Sequence, residues 1–257
     1  MPHPLVIQSP ILASPDLIHG FSTRAGGFSK PPFDSLNMSD RTGDDPDAVM
    51  RNCALILDRS PGMKLATLNQ THGSNVLVLE NNTAVETGVN LGDFDAIVTA
   101  RSDVLIGIKT ADCTPILLYD RCTGSIGAIH AGWRGTAKQI ARATVETMSR
   151  AFGAKPGDIT AVIGPSIGAC CYTVGDELVL EFEKAFGAGR FVETAPDGLE
   201  KADIRGANRS ILINAGVLDA SIATIDLCTA CNGDLFFSHR RDGEQTGRHI
   251  SFIGTTR

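Results

Sequence analysis

Three residues of the chain could build a reactive centre. His72 lies in the run N-Q-T-H-G, Cys113 stands just ahead of the apolar run T-P-I-L-L-Y-D, and His130 ends the run S-I-G-A-I-H. Two imidazoles and a thiolate suit zinc, which takes nitrogen and sulfur ligands tetrahedrally and, with three protein ligands, keeps a fourth position open for water or substrate. A water held there has its pKa drawn down toward about 7, giving a base or nucleophile at neutral pH. His72, Cys113 and His130 are therefore candidate metal ligands and candidate catalytic residues. A single copper ion suits the same donors, because copper outbinds zinc at most nitrogen and sulfur sites. A multicopper cluster would need many imidazoles, and the chain has six histidines in all. A metal-free alternative stays open, with Cys113 as thiol nucleophile and His130 or His72 as its base. Asp112, beside Cys113, is a candidate for orienting an imidazole through a hydrogen bond.

For these side chains to meet, the elements carrying them must converge. Ile116–Tyr119 and Ser125–His130 alternate as strands around a turn at Arg121–Gly124. The separation of Cys113 and His130 (130 − 113 = 17 residues) is about one hairpin, so register decides whether they meet. His72 sits in a polar turn between Lys64–Leu68 and Val76–Leu79. After His130 the chain turns at Gly132 and enters a helix through Trp133, Arg134 and Gly135. Free amides at a helix start and the Arg134 fork could hold phosphate or carboxylate, and Trp133 could stack on a planar ring. A buried Trp133 and a surface ion pair for Arg134 are the competing reading. Arg24, in T-R-A-G-G, and Asn37, in S-L-N, fall on loops, where binding residues and ordinary solvated turn residues both occur.

Elsewhere the pattern predicts strands at Leu17–Ser22, Ala96–Thr99, Val104–Ile108, Ile159–Ile163, Ile222–Ile225 and Leu235–Ser238. Helices are expected over Asp47–Leu57, Thr136–Phe152, Asp176–Phe186 and Asp203–Ala215, with a loop over Asn81–Gly92 and an extended lead-in before Leu17. Many strands with a few interspersed helices, not in strict alternation, give an α+β class with mixed or antiparallel sheets. The 257 residues, 42% hydrophobic and 20% charged, show no linker or composition shift, so a single domain over residues 1–257 is expected. A net charge of −6 argues against a nucleic-acid or anionic-membrane partner and for a small molecule, with the protein a monomer or weak oligomer. The start of the chain lacks the features of a signal peptide, and no apolar run approaches the roughly 20 residues needed to span a bilayer, so a cytoplasmic location is expected. The seven cysteines form an odd set without disulfide-framework spacing. Cys228-Thr-Ala-Cys231 lacks a second pair at zinc-finger spacing and a thioredoxin-like context, which favours buried thiols or a structural role; Cys170-Cys171 is read the same way.

Taken in order, H-G-F-S-T-R-A-G-G-F-S, S-L-N, L-N-Q-T-H-G, T-A-D-C-T-P-I-L-L, H-A-G-W-R-G-T, I-G-P-S-I-G-A-C-C-Y, A-N-R and D-L-F-F-S-H-R-R-D-G cover nearly the whole chain. In combination they resemble the YfiH-like, laccase-domain family once labelled multicopper polyphenol oxidases. The resemblance implies a four-layer α/β/β/α sandwich with mixed sheets and a zinc site on His72, Cys113 and His130. It further implies phosphorolysis of adenosine, inosine and methylthioadenosine and deamination of adenosine, with nucleoside and phosphate as partners and Arg24, Asn37 and Arg134 as candidate contacts. Some members of the family are linked instead to correcting peptidoglycan precursors, and the fold resembles cysteine hydrolases of the deamidating-toxin type. The chain departs from many relatives at Ser166 (often Cys), Ala169 (often Pro) and His239 (often Tyr).

Overall fold

A computed structural model describes residues 5–256; His3 and the start of the extended lead-in lie outside them. In chain order the elements are β1 (Val6–Ile7), β2 (Leu17–Ser22), α1 (Pro46–Leu57), β3 (Lys64–Asn69), β4 (Val76–Val78), β5 (Asn90–Asp93) and β6 (Ala96–Thr99). Next come β7 (Val104–Thr110), β8 (Thr114–Asp120), β9 (Ile126–Ala131), α2 (Trp133–Ala137), α3 (Ile140–Phe152) and β10 (Ile159–Ile163). The remainder comprises α4 (Asp176–Phe186), β11 (Val192–Thr194), β12 (Glu200–Ala202), α5 (Ile204–Asn214), β13 (Ile222–Thr224), α6 (His239–Asp242) and β14 (His249–Thr255).

Two mixed sheets result, ordered β1-β2-β14-β7-β3-β5 and β13-β10-β8-β9-β6-β4, with a small β11-β12 ribbon beside them. The strands are apolar on both faces, and their period-two alternation sorts side chains between layers. Ile106 and Ile108 of β7 meet Leu117 of β8, Ala128 of β9 and Val162 of β10 between the sheets. Their neighbours point outward: Ile116, Leu118 and Ile129 lie under α3 and α5, and Leu105, Ile250 and Phe252 lie under Ile56 of α1. Each fully buried Ile, Leu or Phe contributes about 1.5–3 kcal/mol relative to exposure. The architecture is thus the α/β/β/α sandwich in α+β class that the motifs implied. No helix among the described residues is long and apolar enough to cross a membrane.

Helix ends follow local chemistry. Asp45 caps α1 by accepting from the Asp47 N–H, with Pro46 in the first turn, and Gly153 closes α3 in the left-handed region at φ 73°. Four expectations need correction. The helix expected over Thr136–Phe152 is broken, because Gln139 takes a left-handed conformation (φ 63°) and separates α2 from α3. Leu235–Ser238 is a turn: the Leu235 and Phe236 N–H groups both donate to the Asn232 carbonyl, and its apolar run reflects burial of Phe236 and Phe237 without strand pairing. The loop expected over Asn81–Gly92 ends in a strand, since β5 begins at Asn90 and pairs with β3. Finally β14, wholly buried between β2 and β7, completes the first sheet with a strand the periodicity reading did not include.

Candidate metal centre

The hairpin register settles the first pairing. β8 and β9 run antiparallel with Pro115 opposite His130 and Thr114 opposite Ala131, which carries Cys113 to a position facing Gly132. Gly132 matters because it is empty: a Cβ there would lie 3.0 Å from His72 Cδ2 and 3.2 Å from Cys113 Sγ. His72 comes from the turn after β3, where it holds a left-handed backbone at φ 60°. Its ring stands edge-on to that of His130, with centroids 4.8 Å apart.

Asp95 organises both imidazoles. It is fully buried and immediately precedes β6, whose Ala96 pairs with Ile129 of β9. Its carboxylate accepts from the His72 N–H at 2.9 Å, the Gly73 N–H at 2.7 Å, and the Thr71 N–H and hydroxyl at 3.2 and 3.0 Å. The same Oδ1 lies 2.8 Å from His130 Nδ1, and the Asp95 carbonyl accepts from the His130 N–H at 2.7 Å. A carboxylate on Nδ1 fixes the tautomer that leaves Nε2 with its lone pair for the pocket, which is what a metal ligand requires. The imidazole-orienting role expected of Asp112 therefore falls to Asp95. Asp112, left-handed at φ 88°, accepts from the Thr229 hydroxyl at 2.6 Å and the Arg240 N–H at 2.7 Å.

One ligand atom from each of His72, Cys113 and His130 lies within 4.8 Å of the others. A tetrahedral ion with Zn–N and Zn–S bonds of ordinary length separates such atoms by about 3.6 Å. The donor set and its spacing thus fit a tetrahedral metal with one position left to the pocket. Without an ion, the same groups form a thiolate–imidazolium pair, and a metal would take the place of the proton on His130 Nε2. Burial by itself would push the Cys113 thiol up, but the His130 imidazolium and hydrogen bonds from His130 and His72 bring it down to about 6. Burial would likewise depress His130, yet the Cys113 thiolate and the Asp95 carboxylate raise it to about 9. Asp95 stays well below the usual carboxylate range: burial opposes ionisation, and the bonds from His130, Gly73 and Thr71 overcome it.

The three candidate ligands line one cavity of about 440 Å³. Arg41, Lys109, Arg240 and Arg248 also line it, while Asp112 is the single carboxylate among its described lining residues. Tyr172 adds an aromatic wall, with the Arg240 guanidinium 5.0 Å from its ring centroid. The other predicted contacts lie outside this lining. Arg24 lines a second cleft, donates to the Asp34 and Gly233 carbonyls and stacks 4.8 Å over Phe237. Asn37 is buried and braces the turn beneath the cavity, donating to the Ser39 carbonyl and accepting from the Arg248 N–H. Trp133 is half-buried against the apolar cluster under α4, and Arg134 pairs with Glu177 at 2.9 Å on the surface. Reasoning from sequence missed Asp95 and the basic lining. A polar residue heading an apolar strand, as in D-F-D-A-I-V, was the available signal for the former; nothing local marks the latter.

Comparison with known proteins agrees with the geometry. A family model described as multi-copper polyphenol oxidoreductase laccase matches residues 18–256. A purine nucleoside phosphorylase of Deinococcus radiodurans is 41% identical over 254 residues, covering 96% of this chain and 94% of its own. Adenosine deaminase RL5, from an unknown prokaryotic organism, is 38% identical, with 92% and 93% covered. The crystal structure of YlmD from Geobacillus stearothermophilus superposes with a TM-score of 0.89 at 34% identity, over 97% of this chain and 94% of that one. With its two-sheet sandwich, its His/Cys/His cluster and a family match running nearly end to end, this chain belongs to the multi-copper polyphenol oxidoreductase laccase family.

Proposed function

We propose that the chain is a zinc-dependent purine nucleoside enzyme, catalysing phosphorolysis of adenosine, inosine and methylthioadenosine and deamination of adenosine to inosine. The observation that carries this reading is the convergence of His72, Cys113 and His130 in a cavity whose lining also holds four cations, Arg41, Lys109, Arg240 and Arg248. Relatives named purine nucleoside phosphorylase and adenosine deaminase point the same way. Zinc held by His72, Cys113 and His130 would supply Lewis acidity in the cavity. The chain's own residues do the rest. Arg41, Lys109 and Arg248 hold phosphate by charge, so that one of its oxygens attacks the anomeric carbon as the glycosidic bond breaks and the purine leaves. Tyr172 offers its ring face to the base. Asp95 keeps His130 in a single tautomer throughout. Cys113→Ala is expected to lose the ion held with His72 and His130 and, with it, both phosphorolysis and deamination; a variant that loses this ion yet keeps either activity would refute the proposal.

One observation favours a second reading. Cys113, His130 and Asp95 stand in the order nucleophile, base and orienting carboxylate, with the thiol down at about 6. A cysteine hydrolase, for instance one acting on amide bonds of peptidoglycan precursors, would use that order without metal. Covalent trapping of Cys113 in metal-stripped protein that keeps full turnover would decide for it.

A further inference from the structure

Four cysteines that the nucleoside reading does not use come together elsewhere. Cys170 and Cys171 sit in the loop after β10, Cys228 and Cys231 in the segment after β13, and the four sulfurs all lie within 4.8 Å of one another. Cys231 Sγ is 3.6 Å from Cys170 Sγ and 3.3 Å from Cys171 Sγ, and none of the four is in a disulfide. Four thiolates around a tetrahedral zinc ion, with Zn–S near 2.3 Å, stand about 3.8 Å apart. The observed spacing therefore needs only small rotations of side chains, two of which are exposed.

The backbone around the cluster is built to hold it. Cys228 forms a parallel bridge with Ser166, supported by the Thr229 N–H donating to the Ser166 carbonyl at 3.1 Å. The Gly168 N–H points at Cys228 Sγ from 3.2 Å, the contact by which a thiolate is stabilised. A Cβ at Gly168 would lie 2.8 Å from Arg205 Nη2 and 3.2 Å from Cys170 Sγ, so the backbone here approaches the cluster closely. A tetrathiolate zinc centre carries net charge −2, and this one has guanidinium groups at hand. Arg205 adjoins it, Arg241 donates to the Thr229 and Ala230 carbonyls between its ligands at 3.0 and 3.3 Å, and Arg240 donates to the Thr173 carbonyl at 2.8 Å.

From this juxtaposition we infer that Cys170, Cys171, Cys228 and Cys231 bind a second zinc ion in a closed, four-thiolate site. Its role is structural, because no position is left for a reactant. It clips the loop after β10 to the segment after β13. Both segments touch Asp112, through the Ile167 N–H at 2.9 Å and the Thr229 hydroxyl at 2.6 Å, so the clip steadies the residue next to Cys113. Because all-sulfur donors also accept copper(I) and iron, the test must identify the element.

Full-length Cys113→Ala protein, which lacks a ligand of the other centre, is purified under reducing conditions and dialysed. Elemental analysis is expected to give one zinc per chain, released as a mercurial titrates the four cluster thiols beyond those of Cys53 and Cys122. Adding Cys231→Ser, at an exposed position, is expected to eliminate that zinc, and a strong chelator should lower the unfolding temperature of the first variant but not the second. Cobalt(II) loaded into Cys113→Ala should show intense thiolate-to-metal charge transfer in the near ultraviolet. Retention of zinc by the Cys231→Ser variant, absence of zinc from reduced Cys113→Ala, iron or copper in its place, or free reactivity of all six remaining thiols in the zinc-loaded protein would each overturn the inference. None of these outcomes bears on nucleoside turnover, so the two proposals fail separately.

Discussion

Replacing Asp95 by Asn separates its charge from its shape. The carboxylate collects five hydrogen bonds, from Thr71 N–H and hydroxyl, His72 N–H, Gly73 N–H and His130 Nδ1. Asparagine has one acceptor oxygen. Its better orientation keeps that oxygen on the Thr71 and Gly73 side and turns the amide NH₂ toward His72 N–H and His130. The His72 N–H, in a partly buried contact, then faces a donor, at a cost toward the low end of about 1–3 kcal/mol. Bonds that were charge-assisted become neutral and lose roughly half their strength. Together these predict a loss of about 2–4 kcal/mol in stability. His130 has one way to accept the new donor: Nδ1 must give up its proton and Nε2 must take it, which blocks the nitrogen facing the pocket. Outer-shell partners of metal ligands are typically worth about 10–100-fold in affinity, and the tautomer switch places this case at the upper end. Urea unfolding of metal-stripped wild-type and Asp95→Asn proteins, with zinc competition against a fluorescent chelator, measures both quantities. A variant binding zinc within about twofold of wild type, with stability inside the ±0.5 kcal/mol typical of an inconsequential surface change, would refute the reasoning.

Three further expectations follow from the same geometry. Gly132→Ala has an unstrained backbone (φ −70°, ψ 168°) but puts a methyl 3.0 Å from His72 and 3.2 Å from Cys113; urea unfolding should change little while the one ion held by His72, Cys113 and His130 is lost on dialysis and turnover falls by about 100-fold, and a zinc content equal to wild type would contradict the placement. Arg41→Ala removes an exposed cation from the cavity lining and should raise the KM for phosphate by about tenfold, roughly 1.4 kcal/mol, while leaving adenosine deamination unchanged; equal losses in both reactions would show that it does not act on phosphate. Burial, aided by Arg24, Arg248 and Arg241, lowers His249 to about 3 while it accepts from the Phe237 N–H at 2.9 Å. A base depressed in the folded state contributes stability above its unfolded pKa of about 6.5 that is lost as pH falls toward 3, by up to about 1.4 kcal/mol per pH unit. His249→Leu should therefore flatten the decline of urea-measured stability between pH 7 and pH 5, and an unchanged slope would count against this account.

Residues whose roles are local were legible in the sequence. The β8–β9 hairpin announces itself by alternation around Arg121–Gly124, and its length already brought Cys113 and His130 within reach. Asp203 and Asp45 could be read as helix starts because capping is decided within three residues. What escaped was set by long-range pairing. Nothing around Asp95 reveals that β6 lies beside β9 with Ala96 opposite Ile129, yet that register alone puts its carboxylate between two histidines. The same holds for β14, whose place depends on β2 and β7 far back in the chain, and for Cys170 and Cys171, whose partners Cys228 and Cys231 arrive only after α4 and α5. The C-x-x-C motif looked unpaired because its second half is a Cys-Cys dipeptide on a different loop.

Strain explains why the centre is preorganised. His72 and Asp112 flank it and both hold left-handed backbones, at φ 60° and φ 88°, conformations that cost a residue with a side chain about 1–3 kcal/mol each. Such conformations persist only where the surroundings over-determine them. Around His72 the over-determination is Asp95, which takes three consecutive backbone N–H groups from Thr71 to Gly73. Around Asp112 it is Thr229 and Arg240, brought from the far end of the chain. Each set of hydrogen bonds to a carboxylate contributes more than the strain it offsets, since bonds to charged groups are worth about 1.5–3 kcal/mol apiece. The turn carrying one imidazole is thus fixed by the residue that fixes the other, and the thiol between them is flanked by a second clamped turn. Binding an ion to such a scaffold orders little that is not already ordered, so the binding free energy goes into coordination and does not have to fold the site.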